Sequence, residues 1–288
     1  MYNQYLSIIL KSNNKTLEIT KDTLYKLIDI DGIESAEFKL NLTSNSQFDG
    51  SVVNSKRIDK RAISIISEYT GASKEIERKK LISFFNPKNT GSLVINYGDL
   101  ERTINYEIEG FNSKINNINE NLTFTVDLIC ANPFWSEIQG LKEEIALWIG
   151  DFEFPLELIE GGIEMGHREP NLIVNVVNEG DVGAGMRIEF RALATLANPS
   201  LLNVNTGEFI KINKEMVAGE VLTVTTYLRN KNIKSVLNGI EINAINYIDW
   251  DSTFLQLDTG DNLFRYNSDT NLDNLEVSIY YQPQYLGV

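Results

Sequence analysis

Residues able to do chemistry are few in this chain. One histidine, His167, and one cysteine, Cys130, occur among 288 residues, too few for a zinc site built from either side chain. His167 lies in the turn-like EMGHREP, where a surface or hinge residue is expected. Cys130 closes the alternating stretch NLTFTVDLIC, which favours a buried structural thiol over a nucleophile. Asp249 and Asp251 flank Trp250, the residue types of a sugar-cleaving cleft, yet two acids two positions apart on a turn usually face water. The stretch DTNLDN (269–274) opens like a calcium loop, but Asn274 stands where the glycine belongs and Tyr280 where the last bidentate glutamate would be. This argues against an EF-hand and leaves only a looser calcium site. GDVGAG (180–185) fits neither a dinucleotide nor a phosphate loop and reads as a turn. No catalytic, cofactor-binding or metal residue is assigned, and no enzyme is expected.

The elements that would position any site are mostly strands. YLSIIL (5–10), SAEFKLNL (35–42), RAISIISEY (61–69), GSLVINYG (91–98), RTINYEIEGF (102–111) and NLTFTVDLIC (121–130) alternate with period two, as strands with one buried face do. DIDG (29–32), NPKNTG (86–91) and INNINEN (115–121) supply turns. The segment 73–85, SKEIERKKLISFF, breaks the period and predicts a helix, with Ser73 as N-cap, acids in the first turn and Asn86-Pro87 as the stop. Its Arg78, Lys79 and Lys80 fall on the outward side. The polar stretch 45–61 has no steady period and reads as a long loop or a protruding two-stranded arm, with contact to another subunit as its leading role.

After ICANPFW the strand pattern stops at Pro133. Beyond a connecting segment, 137–164, a second series of short strands follows at 172–180, 185–192, 207–216, 220–228, 253–260 and 274–283, divided by NEGD, NTGE and DTGDN. That rhythm suits a β-sandwich better than an α/β layout. The expected organisation is mainly β: an N-terminal β domain, 1–136, with one packed helix and an extended arm, and an outer β-sandwich, 165–288.

Hydrophobic residues make up 42% of the chain, enough for two cores. No run reaches the roughly 20 apolar residues of a membrane span, and the start lacks the basic and apolar regions of a signal peptide, so neither insertion nor secretion is expected. The net charge of −14 has the wrong sign for a nucleic-acid partner. It is concentrated: residues 1–136 hold 16 basic and 17 acidic side chains, whereas 137–288 hold 10 and 23. A near-neutral half suits packing against protein, and an acidic half suits solvent.

Several stretches carry a family resemblance: LIDIDGIESAEFKLNL, KRIDKRAISIISEY, FFNPKNTGSLVINYGDLERTINYEIEGF, LTFTVDLICANPFW, VNEGDVGAGMRIEF, LLNVNTGEFIKINKEMVAGEVLTVTT and FLQLDTGDNLFRYNSD. In this order and spacing they resemble the distal tail proteins, components of the tail tips of long-tailed phages and prophage-derived particles. LDTGDN, with Thr259 before the glycine, is a mild departure from the family's turn.

The resemblance implies a structural protein of the virion tail tip or baseplate, made in the bacterial host cytoplasm. Its N-terminal domains would close into a homo-hexameric ring joining the tail tube protein to a tail-tip or hub protein, and to receptor-binding or baseplate proteins. The outer domain would be galectin-like or carbohydrate-module-like. It further implies structural or interface roles for Phe48, Val52, Val53 and Arg57 in the arm, and for Asn132, Pro133, Phe134 and Trp135 at the end of the ring domain. In outer turns it implies them for Asn178, Gly180, Asn205, Thr206, Gly207, Glu208, Gly219, Glu220, Gly260 and Asn262. A fragment ending near residue 140 would then form rings unaided. The alternatives are a carbohydrate-binding or adhesion module, which needs exposed aromatics, and a glycan-cleaving sandwich, which needs paired carboxylates.

Overall fold

The computed structural model of the chain describes residues 6–44, 47, 49–113, 120–145, 148–149, 167–168 and 173–288. It divides into two compact units, Met1–Ile138 with Gln284–Val288, and Gln139–Pro283. Residues 284–288, expected in the outer domain, pack with the first unit.

Unit 1 is built from β1 (Leu6–Ser12), β2 (Lys15–Ile19), β3 (Tyr25–Asp31), β4 (Phe38–Ser44), β5 (Ser51–Ile58), β6 (Arg61–Tyr69), α1 (Lys74–Phe84), β7 (Thr90–Tyr97), β8 (Leu100–Ser113), β9 (Leu122–Cys130) and β10 (Trp135–Glu137). One antiparallel sheet runs β2-β1-β7-β8-β9-β6-β3, and β10 pairs with β8. Asn13 and Asn14, both with positive φ, make the two-residue turn that fixes the β1–β2 register. Strict alternation in β6 and β9 buries Ile63, Ile65, Phe124, Val126 and Leu128 on one face. Against this face α1 lays Leu81 and Phe84, and Phe85, just beyond the helix, stacks on Phe111 at 5.1 Å between centroids.

Helix α1 falls where the sequence places it, with two differences. Ser73 occupies the N-cap position but makes no side-chain cap bond, and Ile76 and Ile82 are exposed. DIDG is not a free turn: its first residues complete β3, and only Gly32 turns, at φ +85°. The larger correction concerns 35–42, read as a strand with one buried face. As β4 it pairs only with β5, and every residue of β4 is exposed. The pattern was right for a strand, and its apolar face is exposed among the described residues.

Unit 2 contains β11 (Leu141–Glu144), β12 (Trp148–Ile149), β13 (His167–Arg168), β14 (Ile173–Asn178), β15 (Met186–Ala192), β16 (Leu196–Ala197), β17 (Ser200–Asn203), β18 (Phe209–Lys211), β19 (Glu215–Met216), β20 (Val221–Tyr227), β21 (Asn230–Leu237), β22 (Ile240–Asn243), β23 (Gly260–Asn267) and β24 (Leu275–Tyr281). A six-stranded sheet, β11-β24-β15-β20-β21-β22, and a four-stranded sheet, β14-β23-β17-β18, share one core that includes Phe190, Leu222, Ile279, Val176 and Phe264. The segment 253–260, expected as a strand, joins the fold by an isolated bridge, Ala184 to Leu257. The neighbouring β23 is the true strand. Its alternation was masked because Asn262 takes an inward position.

The final strand, β25 (Gln284–Tyr285), returns to unit 1 and pairs with β10, Trp135 opposite Tyr285. Unit 2 is therefore an insertion between two adjacent strands of the first sheet.

Candidate assembly surfaces

The arm presents a side-chain arrangement that a self-contained domain does not need. In the β4–β5 register Phe38 faces Ile58, Leu40 faces Lys56 and Leu42 faces Val53, which puts five apolar side chains on one side of the ribbon. Phe38 is 62% exposed and Leu42 56%. The other side is polar: Lys39 opposite Arg57, Asn41 donating to Ser55 Oγ at 2.9 Å, and Thr43 opposite the 69% exposed Val52. Lys39 pairs with Asp59 at the arm's base. A two-stranded ribbon with an uncovered apolar face is marginal alone in water and is completed by contact with another surface. Val52, Val53 and Arg57 thus share one ribbon, and Phe48 lies outside the described residues.

At the end of unit 1, NPFW forms a turn that leads into buried Trp135. Asn132 Oδ1 accepts the Phe134 N–H at 3.3 Å, tightening the turn, and Trp135 is fully buried. Residue Arg61, which sequence reasoning did not single out, is the hub. Its guanidinium is buried and donates to the carbonyls of Pro133 (2.8 Å), Gly32 (2.8 Å), Ile33 (3.2 Å) and Leu286. Burial lowers its pKa from the ordinary arginine value, with the acidic neighbours Cys130 and Glu34 opposing. Nearby, Arg102 lies 3.2 Å from the Tyr285 ring centroid, and the Tyr285 hydroxyl donates to Glu137 at 2.6 Å. The C-terminal tail is tied in by charge-assisted bonds and aromatic contact. An arginine opening the β6 pattern gave no signal, since its partners are backbone carbonyls distant in sequence.

In unit 2 the marked turn residues hold backbone. Asn178 donates to Val182 O and accepts from Gly180 N–H at 3.0 Å. Asn262 donates to Asp258 O at 2.8 Å and Gly260 O at 2.9 Å. Asn205 accepts the Leu263 N–H, Thr206 Oγ1 accepts the Glu208 N–H, and Gly207 turns at φ +77°. Gly219 at φ +82° leads into buried Glu220, which receives Lys214 Nζ at 2.5 Å, Val217 N–H at 3.2 Å and the Ser235 hydroxyl. Burial alone would raise the Glu220 pKa, but these donors outweigh it and hold the carboxyl below its usual range.

The chemical candidates do not assemble. Asp249 accepts from Asn213 Nδ2 at 2.9 Å and from the Asp251 N–H at 3.1 Å, which lowers its pKa, the reverse of what a general acid needs. Trp250 between them is fully exposed. Asp269 is engaged by Asn198 and Lys211. Among the described residues no group of three or more His, Cys, Asp or Glu could hold a metal ion. Cys130 is buried, and that burial pushes its thiol pKa up to about 12. In GDVGAG, Gly185 is required because a side chain there would collide with Tyr227. The backbone of His167 pairs with Ile149 in a two-stranded ribbon.

A two-unit β protein with an uncovered apolar arm and turn-binding asparagines belongs with assembly proteins. Comparison with known proteins narrows the class. Residues 179–285 match the model of the family described as siphovirus-type tail component, C-terminal domain. The whole chain has the fold of the Dit protein of phage SPP1, described as a paradigm of the hub adsorption apparatus in phages infecting Gram-positive hosts. The TM-score is 0.69 at 11% identity, over 97% of this chain and 99% of that one. It is also similar to chains of the phage p2 baseplate in its activated conformation. With calcium the TM-score is 0.53 at 13% identity, covering 97% of both chains, and with strontium it is 0.53 at 12%, covering 96% and 97%. No curated protein sequence matches the chain. The resemblance to distal tail proteins seen in the sequence is met by a family match over residues 179–285 and by a shared fold along the chain.

Proposed function

We propose that this is a structural, non-enzymatic protein of a phage tail tip or baseplate, six copies of which close through unit 1 into a ring. The ring connects the tail tube protein to a tail-tip hub protein and to receptor-binding or baseplate proteins. Unit 2 is read as a galectin-like sandwich carried outside the ring. The observation that carries this reading is the arm, on whose apolar face Phe38, Leu40, Leu42 and Val53 are exposed and Ile58 is half-buried. Seating Phe38, Leu40, Leu42, Val53 and Ile58 on a neighbouring copy buries them at about 1.5–3 kcal/mol per fully buried side chain, and a closed ring repeats the contact at every interface. The SPP1 Dit fold and the family of residues 179–285 support the same reading.

The test is the mass in solution, by light scattering coupled to size exclusion over a range of concentration and salt. The monomer is 32.6 kDa, and the expected species is about six times heavier. Leu40→Asp with Leu42→Asp should return it to monomer with an unchanged β spectrum. A wild-type chain that stays monomeric at every concentration and salt overturns the ring.

Trp250, fully exposed at a turn, with Tyr247 42% exposed nearby, favours a second role for unit 2 as an adhesion or carbohydrate-binding module. Trp250→Ala should then abolish binding on a glycan array. Absence of any glycan binding by the wild-type chain removes this role.

A further inference from the structure

Unit 1 carries two uncovered surfaces of opposite charge at opposite ends of its sheet. At the end where Ser12 pairs with Lys15, a groove of about 600 Å³ runs between β2 and α1. Lys15 and Leu17, two residues apart on β2, share the face turned toward α1, as strand alternation requires. Leu17, Leu81 and Phe84 form the apolar floor, and Ile76, 61% exposed, stands beside them. On the rim Lys80 is paired with Glu77, whereas among the described residues no hydrogen bond or ion pair engages the side chain of Lys15 or Lys79. The other surface is the tip of the β7–β8 hairpin. Tyr97 and Leu100 form its closing pair, both 44% exposed, and Gly98, at φ +63°, turns the chain between them. By alternation this pair continues the side of the ribbon that carries Leu93, Ile95 and Ile104. Asp99 occupies the turn itself, outside that alternation, and among the described residues nothing pairs with its carboxylate. Glu101 falls on the other side of the ribbon.

We propose that the β7–β8 tip of one copy seats in the β2–α1 groove of the next, with Tyr97 and Leu100 on the apolar floor beside Ile76, and Asp99 against Lys15 and Lys79. Chemistry selects this occupant: an apolar floor rimmed by unpaired cations calls for an apolar pair led by an unpaired anion, whereas the arm, with Lys39, Lys56 and Arg57, would be repelled. Geometry makes the occupant a second copy. Leu6 pairs with Tyr97 and Ser12 with Gly91, so tip and groove lie at opposite ends of β1, about 20 Å apart by strand rise, and a folded sheet cannot bring its own tip to its own groove. A contact between two different patches repeats head to tail, the kind of contact that closes into a ring. This inference deepens the ring reading and rests on it. Two apolar side chains are too few to hold copies together alone, so the tip adds a second contact to that of the arm at each interface.

The test mixes two variants of the full chain, Leu100→Cys and Ile76→Cys, both at exposed positions where folding is not at risk, under mild oxidation, with linked peptides read by mass spectrometry. Cys130 is buried and does not compete. A disulfide joining one variant to the other is expected, and neither variant alone should link to itself, because a head-to-tail contact never sets like against like. Asp99→Lys in the Leu100→Cys chain should lower the yield at least about fivefold, and Lys15→Glu with Lys79→Glu in the Ile76→Cys chain should recover it. No mixed disulfide, equal self-linking, indifference to Asp99→Lys, or no recovery on charge reversal overturns the tip–groove contact. Light scattering on the wild-type chain separates this contact from the ring. A hexamer without the mixed link overturns the contact alone, and a monomer without it overturns both. A mixed link in species other than a hexamer supports the contact and removes the closed ring.

Discussion

Deleting residues 284–288 should damage unit 1, far from them in sequence, while sparing unit 2. The deletion exposes what Tyr285, 8% accessible, now covers, removes its bond to Glu137 and its contact with Arg102, and takes the Leu286 carbonyl from the buried Arg61. Burial of one aromatic side chain is worth about 1.5–3 kcal/mol and a hydrogen bond to a charged group about 1.5–3 kcal/mol, so a loss of about 4 kcal/mol is expected. With a urea slope near 2 kcal/mol/M the midpoint falls by about 2 M. Trp135, one of 3 tryptophans, reports on unit 1 once Trp148→Phe and Trp250→Phe silence the others. A fragment ending at Ile138 shares the defect, contrary to the expectation that residues up to about 140 suffice. Joining Ile138 to Gln284 by a short glycine-containing turn should restore it, because Ser136 already pairs with Gln284. An unmoved Trp135 midpoint in the deletion, or no rescue by the joined fragment, refutes the argument.

In unit 2, Glu220→Ala strands Lys214 and Ser235 and should cost about 3 kcal/mol, read from urea unfolding by circular dichroism. Because the folded pKa of Glu220 is depressed, its contribution is complete above the ordinary carboxylate range and drains away as pH falls toward the lower folded value. Unit 2 stability should therefore drop on acidification from pH 7 to pH 3, and less so in Glu220→Gln. Gly287→Ala drives a side chain into the Glu34 carbonyl and should destabilise unit 1 by about 1–3 kcal/mol. Gly207→Ala, with open space around it, should cost unit 2 only about 1–2 kcal/mol of left-handed strain. Cys130 should resist an aromatic disulfide reagent at pH 8 until urea unfolds unit 1, and rapid labelling of the folded chain would contradict its burial.

Period two exposed β6, β8 and β9 because each buries one face, and β7 lies almost where it was placed although Leu93, Val94 and Ile95 are all buried. The same rule misled at β4, since apolar alternation registers that a face will be covered and not by which chain. It failed at β23, where asparagine takes an inward position because its amide binds the turn, and at β3, an edge strand with a weak inner face. The arm was legible as an anomaly and its second strand was not, because 51–58 mixes valines, lysine and arginine on both faces. Arg61 and β25 were invisible because their partners are backbone carbonyls and a strand, β10, far back in the chain. The asparagine turns were legible from composition, as short polar side chains that bond their own backbone.

The return of β25 also sets an order of events during synthesis. The sheet of unit 1 lacks β25 until Gln284 and Tyr285 have been made, although its other strands are complete by Ile138. At roughly 5–20 residues per second the intervening chain takes about 7–30 s to translate. Throughout that time Arg61 has no Leu286 to hold and Trp135 no Tyr285 opposite it. Until β25 is made, nascent chains therefore carry the arm beside an unfinished first sheet.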